Sequence, residues 1–348
     1  MMNLQEPLEF EPGDRILVSR TDRLGDLILA LPFVETLKLR YPQCEVDVLA
    51  SLYASPILEG NDQIDRIMRV QNDQLLLSKA YEKDFLSKLT RGNYKAVVAL
   101  YPERRICYLF HMAAIPIRIG TAGRFHSFLF NYHLLHSRKA NKKHEYEYNL
   151  DFLRFFKDGP TVTMPHVYPR EKELRNAARI VRQAGVSGPY IVVHPLSGGS
   201  AEPWPVDKFL QLSGELEKNG VEVVVSGSEE EGRILRDKLE ALGLRARLIC
   251  GETDLRTLAA VLSQAAVVVS NSTGPLHLAV SVGTQVVGLY PSEDAVSPRR
   301  WGPLGEESRV IQPIEQEGST MASISVERVA REVEDLYFKS LKYGKVQQ

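Results

Sequence analysis

Four charged side chains lie in the turn that leads from the first predicted strand to the first predicted helix. Residues 19–26 read SRTDRLGD, and Asp22 and Asp26 stand at the start of the helix. In an open parallel sheet, ligands bind outside the carboxyl ends of the strands, so this turn is predicted to face a ligand crevice. It is not a dinucleotide fingerprint, because it has one glycine where that motif has three. The alternative is that Asp22 or Asp26 only stabilises the helix N-terminus, by less than about 1 kcal/mol.

A glycine-rich loop follows an apolar strand in the middle of the chain. It reads HPLSGGS over residues 194–200, and Trp204-Pro205 comes shortly after it. Because glycine has no Cβ, the backbone N–H groups of such a loop can approach phosphate oxygens closely. The residues predicted to contact phosphate are Ser197, Gly198, Gly199 and Ser200. A solvent-exposed turn with no binding role is the alternative.

The most informative segment is residues 270–279, which read SNSTGPLHLA. A buried strand ends at Asn271, and Gly274 and the proline after it open a helix, with the proline predicted at the first helical position. A helix N-terminus presents free N–H groups and a partial positive charge, which favour an anion. Thr273 and His277 are predicted to face the same crevice. The alternative is a well-capped core helix with an incidental histidine.

Cations are concentrated in one stretch of the first half. From Arg104 to His144 there is no Asp or Glu, although the whole chain has a formal net charge of −1. A local basic surface on a neutral protein is typical of binding to an acidic acceptor or to an anionic membrane surface. Arg104, Arg118 and Arg124 are the predicted acceptor-binding residues. An ordinary solvated face is an equal alternative.

The composition narrows the class of protein. With 348 residues, of which 44% are hydrophobic and 25% charged, the chain is expected to form two globular domains. The net charge of −1 gives no electrostatic reason to expect nucleic acid as a partner. The sequence contains no CxxC pair and no metal-binding motif, so we expect buried thiols and no metal site. It also shows no signal-peptide pattern and no apolar run of membrane-spanning length, which favours a cytoplasmic location.

Short β-branched runs alternate with helical segments through both halves of the chain. Continuous apolar strands are typical of parallel sheets with helices on both faces, and two such series predict two doubly wound α/β domains. We expect an N-terminal domain over residues 1–168, a C-terminal domain over 169–324 and a final helix over 325–343 that packs back onto the N-terminal domain. The predicted strands are Arg15–Ser19, Glu45–Ala50, Asp65–Val70, Ala96–Leu100, Tyr190–His194, Glu222–Ser226, Arg247–Cys250, Val267–Asn271 and Gln285–Leu289.

Three of these segments, taken in order, resemble glycosyltransferase family 9, the lipopolysaccharide heptosyltransferases and their relatives. RTDRLGDLILALP resembles the opening strand–loop–helix of the family, HPLSGGSAEPWP its phosphate loop, and SNSTGPLHLAVSVGTQVVGLY its nucleotide-binding signature. A turn at Ile117–Gly120 is also similar. The resemblance covers most of the chain. It implies the GT-B fold, in which two Rossmann-like domains face each other across a cleft that holds the active site.

The resemblance also implies roles for individual residues. The aspartate of the family's Gly-Asp pair falls on Asp26, as general base, and the donor-diphosphate motif falls on Asn271, Thr273, Gly274 and His277. Asn271 stands where the family usually has aspartate. Glu202 stands where members commonly have a phosphate-binding lysine. Either another cation replaces that lysine, or donor affinity is reduced, or the donor differs; the cations considered are Arg20, Arg23 and Arg299.

The implied reaction is inverting transfer of a heptose, or a related sugar, from an ADP-sugar to a lipopolysaccharide-core or similar glycan acceptor. No metal or other cofactor is expected. The expected partners are the nucleotide-sugar donor and an acidic glycolipid or oligosaccharide, with peripheral contact at the cytoplasmic face of the inner membrane. Three alternatives remain: a non-catalytic nucleotide-sugar-binding protein of the same fold, a GT-B epimerase, and an NAD-type oxidoreductase, which the missing glycine fingerprint disfavours.

Overall fold

A computed structural model describes residues 6–199, 201–305, 307–316 and 318–342. The chain divides into two compact units, Met1–His166 and Val167–Gln348, which we call the first and the second domain. The division falls within residues 157–170, which form neither helix nor strand.

A parallel sheet of six strands forms the centre of the first domain. Its strands are β1 (Arg15–Arg20), β2 (Glu45–Ser51), β3 (Arg66–Val70), β4 (Ala96–Ala99), β5 (Ile117–Thr121) and β6 (Tyr132–Leu134). They lie in the order β3-β2-β1-β4-β5-β6, and each neighbouring pair is parallel. This is the Rossmann order, in which the direction of winding reverses between β1 and β4.

Six α-helices, counted over the described part of this domain, connect and cover these strands. They are α1 (Leu24–Ile28), α2 (Leu31–Arg40), α3 (Asn72–Leu77), α4 (Lys79–Gly92), α5 (Arg104–Met112) and α6 (Glu145–Leu150). One core lies between the sheet and α4 and α5, where Phe85 and Phe110 pack with Leu17 and Val97 of the strands. Phe33 of α2 packs instead against Phe152 and Phe156, at ring-centroid distances of 6.4 and 6.2 Å.

The expected turn at Ile117–Gly120 is wrong, because these residues belong to β5. Arg118 pairs with Val97 of β4 in the sheet. The first two residues of β5 are only half-buried, and β6 is a three-residue strand at the edge of the sheet. Neither strand therefore shows the continuous apolar pattern of a strand buried on both faces.

The second domain repeats the same arrangement. Its strands are β7 (Tyr190–His194), β8 (Glu222–Val225), β9 (Arg247–Leu248), β10 (Val267–Asn271), β11 (Gln285–Leu289) and β12 (Arg309–Ile311). The order β12-β11-β10-β7-β8-β9 is the Rossmann order again, with the reversal between β7 and β10. The α/β class, with two doubly wound parallel sheets, is thus as predicted.

The described residues of the second domain form seven α-helices. They are α7 (Glu171–Gln183), α8 (Val206–Lys218), α9 (Glu229–Leu242), α10 (Leu255–Ser263), α11 (Gly274–Ser281), α12 (Pro298–Trp301) and α13 (Val326–Lys342). The expectation that the last helix packs back onto the first domain needs correction. Val329, Val333 and Leu336 of α13 are buried in the core of the second domain, together with Phe209 of α8. The apolar face of α13 thus completes the domain that precedes it in the chain.

Within the described ranges, no helix is both long enough and apolar enough to cross a membrane. The three cysteines are free thiols; Cys44 and Cys107 are buried, and Cys250 is half-buried.

Candidate active site

The SRTDRLGD segment lies where the strand order of the first sheet reverses. β1 ends at Arg20, and its neighbour β4 ends at Ala99. In doubly wound sheets, the carboxyl ends of the strands at this reversal border the ligand crevice. Asp26 is the third residue of α1, and no side chain caps the start of that helix. The turn therefore places the Asp26 carboxylate at the edge of the first sheet where doubly wound folds bind their ligands.

Arg20 holds this carboxylate in place from a buried position. Its Nη2 donates a hydrogen bond to Asp26 Oδ1, and its Nε donates to Asp22 Oδ1 at 2.8 Å. Its Nη1 lies 3.0 Å from both Glu145 Oε1 and Asn149 Oδ1. Because the guanidinium is planar and rigid, it fixes these acceptors relative to one another. Sequence reasoning considered Arg20 as a charge partner for a diphosphate, whereas the structure engages its guanidinium within the first domain.

Glu145 and Asn149 are the parts of this cluster that sequence reasoning missed. Both lie on α6 and are fully buried. Arg138 adds a second cation, with its Nε 3.1 Å from Glu145 Oε1 and its Nη2 3.1 Å from Asn149 Oδ1. Asn149 also donates from Nδ2 to the backbone oxygen of Leu29, at 2.9 Å. The available signal was the spacing of four residues, which places both side chains on one helix face.

The environment of Asp26 suits proton transfer near neutral pH. Burial raises the pKa of Asp26 to about 6, although the neighbouring Arg20 acts in the opposite direction. Only 14% of the Asp26 side chain is exposed, so the loss of hydration is large. Burial alone would lower the pKa of Arg20, but the carboxylates of Asp22, Asp26 and Glu145 outweigh it and hold that pKa above its ordinary value. Arg20 therefore stays charged while Asp26 can exchange a proton.

The other two segments flank the reversal of the second sheet, because one follows β7 and the other follows β10. Asn271, at the end of β10, joins them. Its Oδ1 accepts from the backbone nitrogen of Trp204 at 2.8 Å, and its Nδ2 donates to the backbone oxygen of Pro195 at 2.9 Å. A carboxylate could make the first bond but could not donate in the second. An amide at position 271 therefore fits this loop, and the role of Asn271 in donor binding stays a prediction.

Trp204 anchors the far end of the glycine-rich loop in the core of the domain. It is fully buried, and its Nε1 donates to the backbone oxygen of Ile324 at 3.0 Å. Between its two anchored ends, the loop is open at Gly198 and Gly199. A Cβ at either position would meet no atom of the described residues within 4 Å. Ser197 is half-buried, Glu202 is exposed, and Ser200 lies outside the described residues.

α11 begins at Gly274. Pro275 therefore occupies the second position of the helix, whereas the sequence predicted it at the first. Thr273 is the residue before the helix, and its side chain makes no capping hydrogen bond. Its Oγ1 lies 3.1 Å from Ser270 Oγ. His277 is buried in the first turn. The start of α11 therefore keeps the orientation of N–H groups that an anion requires, with no side-chain cap in front of it.

The remaining predicted cations differ in their surroundings. Arg23, Arg104 and Arg299 are exposed and make no ion pair among the described residues. Arg124 is exposed as well, and its guanidinium carbon lies 5.9 Å from the centre of the Tyr101 ring. Arg118 donates to two backbone oxygens of its own domain, those of Leu129 and Ile115. Its predicted contact with an acceptor thus competes with a structural role.

No group of three or more His, Cys, Asp or Glu side chains that could hold a metal ion occurs in the part of the chain that the structure describes. The chemistry gathered at the two sheet edges consists instead of one carboxylate with a raised pKa, a buried guanidinium, an open glycine loop and an uncapped helix start.

Known proteins resemble this chain in sequence. The model of "Glycosyltransferase family 9 (heptosyltransferase)" matches residues 84–328. A putative glycosyltransferase of Haemophilus influenzae is 27% identical over 86% of this chain and 88% of its own length. Lipopolysaccharide heptosyltransferase 3 of Escherichia coli is 25% identical over 80% of this chain and 82% of its own length.

A solved structure shows the same fold at low sequence identity. The ADP-heptose lipopolysaccharide heptosyltransferase II of E. coli superposes with a TM-score of 0.79 and 23% identity, over 94% of this chain and 99% of that one. The fold is therefore that of the GT-B glycosyltransferases. Since the family model spans more than half of the sequence, the chain belongs to glycosyltransferase family 9 and is a glycosyltransferase.

Proposed function

We propose that this enzyme transfers a heptose, or a closely related sugar, from an ADP-sugar to a lipopolysaccharide-core or similar glycan acceptor, with inversion at the anomeric carbon. The observation that carries the proposal is the Asp26 carboxylate, which is mostly buried and has its pKa raised to about 6. A general base works best when its pKa lies near the working pH.

In the proposed reaction, Asp26 accepts the proton of an acceptor hydroxyl. The hydroxyl oxygen then forms a bond to the anomeric carbon, and the bond from that carbon to the diphosphate breaks on the opposite face. Arg20 does not touch the reacting atoms, because its guanidinium is hydrogen-bonded to Asp22, Asp26 and Glu145. Its proposed role is to hold the Asp26 carboxylate at a fixed angle. Such positioning favours reaction by reducing the freedom of the reacting groups.

The leaving diphosphate gains negative charge, and the second domain supplies the proposed stabilisation. N–H groups of the loop at Ser197–Gly199 and of the start of α11 are suited to phosphate oxygens. Thr273, Gly274 and His277 belong to this proposed donor site, with Asn271 holding the loop that faces it. The proposal assigns charge stabilisation to these groups and to an exposed arginine such as Arg299. It therefore needs no metal ion.

The donor and acceptor are proposed from the names of the relatives. One relative is named for lipopolysaccharide and another for ADP-heptose. The partners we propose are thus an ADP-sugar and an acidic glycolipid or oligosaccharide. The enzyme would act at the cytoplasmic face of the inner membrane, where such an acceptor is held by its lipid.

The test is the substitution Asp26→Asn, with Asp22→Asn as the matched control. Both side chains accept from Arg20, and their exposed fractions are similar, at 14% and 16%. We expect Asp26→Asn to lower kcat by about 10²–10⁴-fold, because the base is lost. Asp22→Asn should keep most of the turnover. If only Asp22→Asn loses activity, Asp22 is the base and not Asp26. Near-normal turnover of Asp26→Asn would refute the mechanism.

Two measurements separate this proposal from its alternatives. ADP affinity by calorimetry should be equal in the wild type and in Asp26→Asn, which shows that the variant is folded. Because burial raises the pKa of Asp26, the folded state disfavours its charge, and the neutral amide is not expected to unfold the chain. Product analysis with and without acceptor distinguishes transfer from epimerisation. ADP binding without any turnover would favour a non-catalytic protein.

A further inference from the structure

A groove of about 760 Å³ opens on the first domain, lined by apolar side chains and cations. Four large apolar side chains of the groove are exposed: Leu76 at 73%, Tyr108 at 40%, Phe125 at 91% and Phe128 at 74%. We call this set the aromatic groove. Leu77, next to it in sequence, is 79% exposed. Most exposed apolar side chains are scattered singly, whereas a contiguous group of this kind marks an interaction surface.

The two phenylalanines are held outward by an ordered turn. Ser127 Oγ accepts from the backbone nitrogen of Arg124 at 2.9 Å and donates to its backbone oxygen at 2.6 Å. His126 Nε2 lies 2.9 Å from the backbone oxygen of Pro102, which joins this turn to the loop after β4. Leu129 and Phe130 bury the end of the turn in the core. Phe125 and Phe128 are therefore presented to solvent by hydrogen bonds and by the burial of their neighbours.

Two arginines and one glutamate lie among the lining residues of the aromatic groove. Arg104 and Arg105 line it, and Arg104 is free of ion pairs among the described residues. Glu103 accepts from the backbone nitrogen of Ile106 at 2.8 Å, as the cap of α5. Arg105 is paired with Glu82. The groove thus combines exposed apolar side chains with one unpaired arginine, Arg104, beside the Glu103 carboxylate, and the exposed Arg124, next to Phe125 in sequence, adds a second cation.

We propose that the aromatic groove docks on an anionic lipid bilayer. Aromatic and aliphatic side chains partition into the interfacial region of a membrane, and each nearby cation adds attraction to anionic headgroups. A protein partner is a different class of ligand, and it is an outcome of the test below. This inference rests on the proposed function, which places the enzyme at a membrane face, and it adds which surface of the first domain meets the lipid. Lipid binding can be measured with neither donor nor acceptor present, so its failure is distinguishable from a failure of sugar transfer.

The experiment is sedimentation of the full chain with lipid vesicles. One set is pure phosphatidylcholine, and the other contains about 30% phosphatidylglycerol as the anionic lipid. We expect binding to the anionic vesicles, at least about tenfold weaker binding to the neutral ones, and weaker binding again as salt is raised. Phe125→Ser combined with Phe128→Ser should reduce binding to anionic vesicles by about tenfold or more. Arg104→Glu should reduce it by about tenfold, since it reverses one charge at the rim.

The matched control is Phe338→Ser, which removes an exposed aromatic side chain of the second domain, itself 56% exposed. It should bind vesicles like the wild type. All of these positions are on the surface, so melting temperatures should be unchanged, which shows that the variants are folded. Equal binding to both kinds of vesicle, or full binding by the double phenylalanine variant, would overturn the proposal. A third result would also overturn it: the wild type does not bind vesicles but self-associates, and the double phenylalanine variant does not self-associate. The groove would then bind a second copy of the chain.

Discussion

At the scale of the residue, two opposite effects act on the Asp26 carboxylate. Burial favours the protonated form of Asp26, whereas its bond to Arg20 favours the ionised form, and the result is a pKa raised to about 6. Without Arg20, Asp26 and Glu145 would be buried carboxylates with no common counter-ion. In the proposed mechanism, Arg20 thus makes it possible to keep a base in a mostly buried position.

The raised pKa predicts a pH profile. A base must be ionised to act, so kcat/KM should fall about tenfold per pH unit below about 6 and should level off above it. Rates at limiting acceptor give kcat/KM, and rates at saturating acceptor give kcat. Both are measured from about pH 4.5 to about pH 8.5, which covers roughly two units on each side of the pKa. Asp22→Asn should keep the inflection near the same pH. A profile that is flat through pH 6 would contradict the assignment of Asp26 as the base.

The same cluster shows what sequence can predict of a site and what it cannot. Asp26 follows from a local motif, because its strand, turn and helix are contiguous in the chain. The role of Arg20 does not, since Glu145 and Asn149 lie 125 and 129 positions away and approach only when α6 folds against the sheet. With those acceptors unknown, an arginine in a charged turn is naturally interpreted as a phosphate ligand.

At the scale of the element, prediction succeeded for strands that are buried on both faces. β7, β10 and β11 have the predicted bounds, and each is buried throughout. β5, β6 and β12 were missed, because they are short or partly exposed and their residues do not form an apolar run. The amphipathic pattern of α13 predicted a helix, but a helical face does not reveal which domain it will cover.

The glycine-rich loop provides a prediction about an element. In the described chain, nothing lies within 4 Å of a Cβ at Gly198, and its φ is outside the left-handed region. Gly198→Val should therefore leave the melting temperature of the ligand-free protein unchanged. If the loop N–H groups approach a diphosphate closely, the valine side chain will obstruct it, and ADP affinity should fall by about tenfold or more.

Gly198→Ala is the graded control, because a methyl group obstructs less than an isopropyl group and should give an intermediate affinity for ADP. Titration calorimetry measures all three proteins under the same conditions. Unchanged ADP affinity in Gly198→Val would show that the loop does not meet the phosphates, and would remove it from the proposed donor site.

At the scale of the whole molecule, the chain uses one architecture twice and assigns different chemistry to each copy. Both sheets have the same strand order, and both gather polar residues where that order reverses. In the first domain the reversal holds a carboxylate and a buried guanidinium, and in the second it holds an open loop and an uncapped helix start. Ligand location at the reversal is a property of the fold, whereas the reaction is decided by the side chains placed there.

This division predicts how the intact protein responds to nucleotides. ADP should stabilise it against thermal unfolding more than GDP, UDP or CDP, if the donor is an ADP-sugar. A ligand at 100 times its Kd adds about 2.7 kcal/mol to the free energy of unfolding, which raises the melting temperature by roughly 5 °C in a protein of this size. The shift should persist in EDTA, because the proposed donor site relies on N–H groups and arginine. Asp26→Asn should show the full shift, since the proposed base and the proposed donor site belong to different domains. Selective stabilisation by a pyrimidine nucleotide would contradict the proposal that the donor is an ADP-sugar. Loss of the ADP shift in EDTA would contradict the proposal that the donor site needs no metal ion.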